Sequence, residues 1–213
     1  MRNIYVFGLI LITLIVLACA AGVKSIKEPT SEDNIMVIGN IIFENKYYNN
    51  QLELIRKDIN IAIVGKHNAD GKDHDYWVTT DENGFFCLAD VPKGKYAIQG
   101  FKVYLGQGEL LTIANPLKIS GSFYRIQRNE YVIFQADYFP IESKSGIYNL
   151  QYNHFWIDQS TQASAQVEHR IYDTLKNLSL VGGTNLTLPN IEQYFIDQYP
   201  ESDWVPLLKA EME

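Results

Sequence analysis

Short apolar runs rich in β-branched and aromatic residues recur along the middle of the chain, separated by Gly, Asn, Asp and Pro. Runs of this length and composition at close spacing are typical of strands joined by short turns. The pattern predicts an antiparallel sandwich or barrel. The runs are IMVIGNIIF, INIAIVGK, DYWVTTD, GFFCLAD, KYAIQGFKVYL, YVIFQADYF and IYNLQYNHFWI.

The last quarter of the chain has a different pattern, in which apolar residues recur at spacings of four, four, four and three. This spacing predicts an amphipathic helix, which Gly182 and Gly183 would end. The residues concerned are Ala163, Val167, Ile171, Leu175 and Leu178.

Two further helices are expected near the C-terminus. Pro189 would open one of them, and Ser202 or Asp203 would cap the other, with Pro206 in its first turn. Such short helices need an apolar surface to cover. We therefore expect residues 158–213 to form a helical extension packed on the β unit.

The first residues have the pattern of an export signal. Arg2 precedes an uncharged apolar run from Ile4 to Ala18, which is short for a membrane span of roughly 20 residues. The run ends in VLAC and resembles the lipobox of bacterial lipoproteins, in which the cysteine is lipidated after the signal is removed. The resemblance implies a signal peptide over residues 1–18 and a lipid on Cys19. An ordinary secretory signal or an uncleaved anchor are the alternatives.

Residues 19–34 are polar and aperiodic after the cysteine, as in a flexible spacer. In lipoproteins an aspartate after the lipidated cysteine often retains the protein at the inner membrane, whereas this chain has Ala20. The resemblance therefore implies a lipid-anchored protein of the bacterial cell envelope. It favours the outer membrane where the cell has one.

The charge and cysteine content exclude other classes. The chain carries 18 basic and 25 acidic residues, a net charge of −7, so nucleic acid is a poor partner. With Cys19 lipidated, Cys87 has no disulfide partner among the two cysteines. Cys87 alternates with Phe85 and Ala89 and is interpreted as a small buried hydrophobe.

Two turn signals flank the run GFFCLAD. Asn83-Gly84 is a strong hairpin signal, and Pro92 with Gly94 predicts a second turn. Together they form TTDENGFFCLADVPKGKYAIQG, which resembles the core of the carboxypeptidase regulatory-like domain, a transthyretin-like sandwich. The resemblance covers residues 35–105, with an extension toward Phe139. It implies an antiparallel transthyretin-like β-sandwich over residues 35–157, in a family of accessory, adhesive or structural modules.

One loop concentrates metal-ligating residue types: His67, Asp70, Asp73, His74 and Asp75. Carboxylates and imidazoles bind divalent cations, but the spacing does not match a calcium loop and fixes no set of zinc ligands. A solvated hairpin loop is the preferred interpretation, and a metal site is the alternative.

The strand IYNLQYNHFWI carries a second candidate site. Strict alternation would place Tyr148, Tyr152, His154 and Trp156 on one face together with Leu150. An aromatic face bordered by amides can stack on a sugar or line a peptide groove. The same pattern arises when the C-terminal helices cover the face. We prefer a buried core, in which His154 is hydrogen-bonded.

No nucleophile elbow, zinc-protease helix or phosphate loop occurs in the sequence. We therefore expect neither a cofactor nor catalysis, and predict a binding or structural module for an envelope protein or glycan. One alternative is a lipid-anchored metal-dependent hydrolase that uses the loop from His67 to Asp75. Another is an assembly subunit that pairs through an open sheet edge.

Overall fold

The chain is mainly β in a computed structural model that describes residues 26–47, 49–104, 110–114, 146–158, 166–172, 178–180 and 185–213. Within these ranges it forms eleven strands and two helices. The strands are β1 (Asn34–Lys46), β2 (Leu52–Ile55), β3 (Asn60–His67), β4 (Asp73–Thr79), β5 (Phe85–Pro92), β6 (Gly94–Tyr104), β7 (Leu110–Ala114), β8 (Ile147–Asp158), β9 (Gln166–Tyr172), β10 (Leu178–Ser179) and β11 (Asn185–Leu186). The helices are α1 (Ile191–Gln198) and α2 (Val205–Glu211).

The strands form two main sheets. The first sheet has the order β2-β1-β8-β9, with β5 also paired to β1. Its β1–β8 pair is parallel, and its other pairs are antiparallel. The second sheet has the order β4-β3-β6-β7 and is antiparallel throughout. Strands β10 and β11 form a small separate ladder.

The two sheets pack face to face on a common apolar core, which is compatible with a β-sandwich. Side chains from both sheets contribute to this inter-sheet core. They include Ile35, Val37, Ile41 and Phe43 of β1, Phe155 and Ile157 of β8, Ile61 and Ile63 of β3, and Tyr96, Ile98 and Phe101 of β6.

A second apolar cluster lies on the outer face of the first sheet, and we call it the helix-covered cluster. Because β1 is covered on both faces, its sequence is a continuous apolar run rather than an alternating one. The cluster joins Met36, Ile38, Ile42, Phe85, Ile147 and Tyr152 to Ile191, Phe195, Trp204 and Leu208 of the helical region.

The predicted helix from Ala163 to Leu178 is wrong. Residues Gln166–Tyr172 form strand β9, which pairs antiparallel with β8, and Leu178 belongs to β10. A spacing of four residues is close to a helical repeat and is also a multiple of the two-residue strand repeat. The pattern could not separate the two, and pairing with the edge of β8 selected the strand. The described residues of the extension from 158 are therefore part strand, and the helices described there lie at Ile191–Gln198 and Val205–Glu211.

The two later helices begin close to the predicted positions. Asn190 caps α1, since its side chain accepts a hydrogen bond from the Gln193 amide at 2.9 Å. Helix α2 has Pro206 in its first turn and Trp204 at its N-cap. The predicted cap residue Ser202 instead accepts a hydrogen bond from the Trp204 amide at 3.2 Å, just before the helix.

The Asn83-Gly84 turn is not the hairpin that the sequence predicts, because β4 and β5 belong to different sheets. Gly84 has a φ of 87°, and a Cβ there would lie 2.4 Å from the Ile41 carbonyl oxygen. At position 94, glycine is required by lack of space rather than by its backbone conformation, since a Cβ would lie 2.3 Å from the Lys66 carbonyl oxygen. Both turns carry the chain between the sheets.

The expected spacer is packed on the fold from Ile26 onward. The buried carboxylate of Asp90 accepts hydrogen bonds from the amide and hydroxyl of Thr30 at 2.8 and 2.9 Å, and forms an ion pair with Lys27 at 2.8 Å. The Trp204 indole donates to the Lys27 carbonyl at 2.9 Å. Polar, aperiodic residues were expected to be flexible, but here their polar groups bond to partners distant in sequence.

Three sequence predictions lie outside the described residues. They are the signal peptide over residues 1–18, the lipid on Cys19 and the strand at 131–139.

Candidate functional site

The loop between β3 and β4 is a tight hairpin end that positions the first candidate site. His67 is the last residue of β3, and its amide donates to the Lys72 carbonyl at 3.1 Å. The Gly71 amide donates a hydrogen bond to the His67 carbonyl at 2.9 Å, and Gly71 has a φ of 66°. The turn therefore brings the first residues of β4 back beside His67.

Three of the predicted ligand residues converge there: His67, Asp70 and His74. One ligand atom from each lies within 4.8 Å of the others. The His74 Nε2 atom is 2.9 Å from Asp70 Oδ2, and the two imidazole rings stack with centroids 3.9 Å apart. The other two loop carboxylates, Asp73 and Asp75, are exposed on β4 opposite Lys66 and Val64 and lie outside this group.

The three side chains differ in burial. His67 is 8% exposed, and its Nε2 atom is hydrogen-bonded to the Tyr76 hydroxyl at 2.6 Å. The side chains of His74 and Asp70 are each 40% exposed. The Lys72 amide donates to Asp70 Oδ1 at 2.9 Å and so orients that carboxylate. The site thus has one fixed imidazole and two side chains that face solvent.

The protonation states at neutral pH follow from this environment. Burial lowers the pKa of His67, and neighbouring His74 lowers it further, while Asp70 opposes the change. The pKa of Asp70 is also lowered, first by the Lys72 amide and then by His74. His67 is therefore neutral and Asp70 is ionised at neutral pH, which are the forms that bind metal ions.

A second candidate site lies on the outer face of the second sheet, around Trp77. This side chain is 52% exposed on β4, and the Lys102 ammonium lies 4.7 Å from its ring centroid. Trp77 is opposite Ala62, which in turn is opposite Gly100. Residues directly opposite share a face of the sheet, so small side chains adjoin the ring and leave it accessible.

Polar groups continue this face along the same strands. Thr79 follows Trp77 on the outward side of β4, and its hydroxyl donates to the Asn60 side-chain oxygen at 3.0 Å. On the other side of Trp77 lies exposed Asp75. Sequence reasoning missed this site. The available signal was one large aromatic among outward-facing polar residues, at alternating positions in DHDYWVT.

The predicted aromatic face of β8 is divided by a bulge. Gln151 has a φ of 62°, and the three steps of β8 from Asn149 to Tyr152 oppose the two steps of β1 from Ile38 to Asn40. The insertion exchanges the faces, so Tyr148 packs in the inter-sheet core while Tyr152 packs in the helix-covered cluster. The expected alignment of Tyr148, Tyr152, His154 and Trp156 on one face is therefore wrong.

Burial decides what these side chains do. Tyr148, Tyr152 and His154 are 6%, 2% and 6% exposed. The Tyr152 hydroxyl donates to the Pro189 carbonyl, and His154 Nε2 lies 3.3 Å from a buried carboxylate oxygen of Glu44. Trp156 is half-buried. In the structure described, the first three form internal contacts rather than an open groove.

Cys87 lies on β5 against the helix-covered cluster, beside Phe85 and Ala89. Burial raises the pKa of its thiol well above the ordinary value. A thiol in this environment is a poor nucleophile, because the thiolate is the reactive form.

No helix of the described residues is long and apolar enough to cross a membrane.

No protein-family model matches the chain, and no curated protein matches it. Among solved structures, the chain is similar to a 9R-lipoxygenase from Cyanothece PCC8801, with 13% sequence identity and a TM-score of 0.28. The match covers 67% of this chain and 20% of the lipoxygenase chain. A likeness this weak carries no argument about fold or activity.

Proposed function

We propose that this protein is a lipid-anchored, non-catalytic binding module of the bacterial cell envelope, whose ligand is an envelope glycan or protein. The observation that carries the binding role is the half-exposed Trp77 ring on an outer sheet face. An indole ring offers a flat apolar area to the apolar face of a sugar or to a partner side chain. Asn60, Thr79 and Asp75 lie beside it on the same strands and offer polar groups.

The anchoring role rests on the export signal and the cysteine at its end. The described part of the chain begins at Ile26, and the carbonyl of the next residue, Lys27, accepts a hydrogen bond from the Trp204 indole. Six residues lie between Cys19 and Ile26, and the seven extended residue steps that join the two reach at most about 25 Å. A lipid on Cys19 would thus keep the surface around Lys27 close to the membrane.

The transthyretin-like topology is part of the proposal. The turns of the carboxypeptidase regulatory-like pattern coincide with the ends of observed strands: Asp81 to Gly84 lie between β4 and β5, and Lys93 lies between β5 and β6. The family's role as accessory modules on varied partners agrees with a binding function. An outer-membrane location, where the cell has that membrane, is also part of the proposal, because Ala20 rather than an aspartate follows Cys19.

The anchor is tested by intact-mass analysis of the membrane-extracted protein beside a Cys19→Ala variant. We expect the native form to lack residues 1–18 and to carry acyl mass on Cys19, and we expect the variant to lose both. An unmodified Cys19 in the native form would reject the anchor.

The binding role is tested with the full protein in detergent and purified peptidoglycan sacculi as the probe. The affinity for sacculi measured by co-sedimentation should fall at least tenfold in Trp77→Ala. It should persist in Trp77→Phe, because the phenyl ring retains a stacking surface. Leu52→Ala is the matched control, since Leu52 is 38% exposed on another sheet.

A protein ligand is tested in cells with a photo-crosslinking residue in place of Thr79. A discrete adduct that Trp77→Ala removes would identify a protein ligand. Sedimentation and adducts that are both unaffected by Trp77→Ala would reject this face as the binding site.

A further inference from the structure

We propose that His67, Asp70 and His74 bind one divalent transition-metal ion, preferentially Zn²⁺, at the end of the β3–β4 hairpin. The proposed site is distinct from the Trp77 face and does not depend on the function proposed above. It assigns a role to the three hairpin side chains that the binding face does not use.

The donor set selects the class of metal. Two imidazole nitrogens and one carboxylate oxygen suit Zn²⁺ and its neighbours in the first transition row, whereas Ca²⁺ and Mg²⁺ prefer oxygen ligands alone. Three protein ligands leave a fourth tetrahedral position for water or an incoming ligand.

The distances require a small rearrangement. Donor atoms in a tetrahedral zinc site lie about 3.3 Å apart, given metal–ligand bonds of about 2.0–2.1 Å. One ring nitrogen of each histidine and one Asp70 oxygen already lie within 4.8 Å of one another. Each imidazole binds a metal in its own ring plane, and the His67 and His74 planes are stacked at 9°. One ring must therefore turn before both can bind the same ion.

The structure indicates which ring turns. His67 is buried and held by Tyr76, whereas His74 and Asp70 are each 40% exposed. The exposed side chains can rotate without disturbing the core, so His74 would turn toward an ion held by His67. Asp70 moves little, because Lys72 already orients its carboxylate.

Tyr76 completes the arrangement. In a metal-binding histidine, the N–H of the second ring nitrogen usually donates a hydrogen bond to a partner, which orients the ring. The Tyr76 hydroxyl is such a partner at 2.6 Å from His67 Nε2, which leaves Nδ1 as the ligand atom. Tyr76 is thus a positioning residue for the ion.

The test is a Zn²⁺ titration of the full protein in detergent after chelator treatment, by competition with a chromophoric chelator. We expect one ion per chain, and at least a tenfold weaker affinity in His74→Gln and Asp70→Asn. Asp73→Asn is the matched control, because Asp73 lies on the same hairpin outside the three-residue group. The Zn²⁺ affinity of the Asp73→Asn variant should equal that of the native protein.

His67→Gln is a weaker test alone because His67 is buried, so the exposed His74→Gln variant keeps the proposal testable if His67→Gln does not fold. Co²⁺ provides a second readout: tetrahedral coordination by two imidazoles gives a strong visible absorption band, which His74→Gln should abolish. Tyr76→Phe should weaken Zn²⁺ binding without changing the stoichiometry. Absence of one-to-one binding, or equal affinities in His74→Gln and Asp73→Asn, would overturn the proposal.

Discussion

The outer faces of the two sheets carry aromatic side chains in opposite environments. On the first sheet, Tyr152 is 2% exposed and packs with Phe195 and Trp204 beneath the C-terminal helices. On the second sheet, Trp77 is 52% exposed among polar neighbours. An aromatic residue on a strand therefore indicates a binding surface only where the fold leaves it in contact with solvent.

The largest expected effect is on the covered face. Trp204→Ala should lower the free energy of unfolding by about 3–5 kcal/mol, because a fully buried indole leaves a cavity and its hydrogen bond to the Lys27 carbonyl is lost. Urea unfolding followed by circular dichroism measures the change. A loss below about 1 kcal/mol would mean that the helices do not depend on this contact.

The glycines should show the next largest difference. Gly84→Ala should cost about 2 kcal/mol or more, because φ is 87° and the new Cβ would lie 2.4 Å from the Ile41 carbonyl oxygen. Gly71→Ala has a similar φ of 66° but meets no atom within 4 Å, so about 1 kcal/mol is expected. Equal losses in thermal unfolding would show that conformation alone, not close approach, sets the requirement at Gly84.

Asp90 of β5 binds Lys27 and Thr30 of the N-terminal segment. Its contribution to the free energy of unfolding should depend on pH. Burial acts to raise the pKa of this carboxyl, but Lys27 and hydrogen bonds from Thr30 and Asn34 together hold it below the ordinary value. The stabilisation is therefore fully present above about pH 4 and is lost as the pH falls below it.

Asp90→Asn should thus destabilise the fold by about 1–3 kcal/mol at neutral pH. Its difference from the native protein should shrink as the pH falls below 4, which urea unfolding at several pH values measures. Asp33→Asn is the control, because Asp33 pairs with Lys93 at an exposed position and should change little. A difference at Asp90 that does not vary with pH would contradict the ionic role.

The smallest effect on stability is expected at Trp77, on the solvent-exposed outer face of the second sheet. Trp77→Ala should change the free energy of unfolding by less than about 1 kcal/mol, since half of the ring already faces solvent. The same urea measurement as for Trp204→Ala makes the comparison direct. A loss as large as that of Trp204→Ala would show that Trp77 is structural, and would weaken the proposed binding face.

Local patterns predicted much of the fold because strand composition and turn chemistry act within a few residues. The runs around Val37, Ile63 and Phe86 are strands, and the glycines at 84 and 94 lie at turns. The partners of those strands were not predictable in the same way. The Asn83-Gly84 turn joins two sheets instead of two paired strands, since pairing depends on residues distant in sequence.

The candidate sites were predictable to different degrees. The loop composition pointed to His67, Asp70 and His74, but only the hairpin register separates them from Asp73. The sequence alone does not identify Trp77 as a site, because it does not show which face of a strand remains exposed to solvent.

By itself, the sequence determined the mainly β class, the turn positions and the acidic charge, all of which follow from local composition and spacing. Tertiary structure alone decided that Gln166–Tyr172 is a strand, that a bulge at Gln151 divides the aromatic residues of β8 between two clusters, and that Lys27 is bonded to Asp90 and Trp204. Each of these outcomes depends on pairing or burial against residues distant in sequence, which a local pattern does not encode.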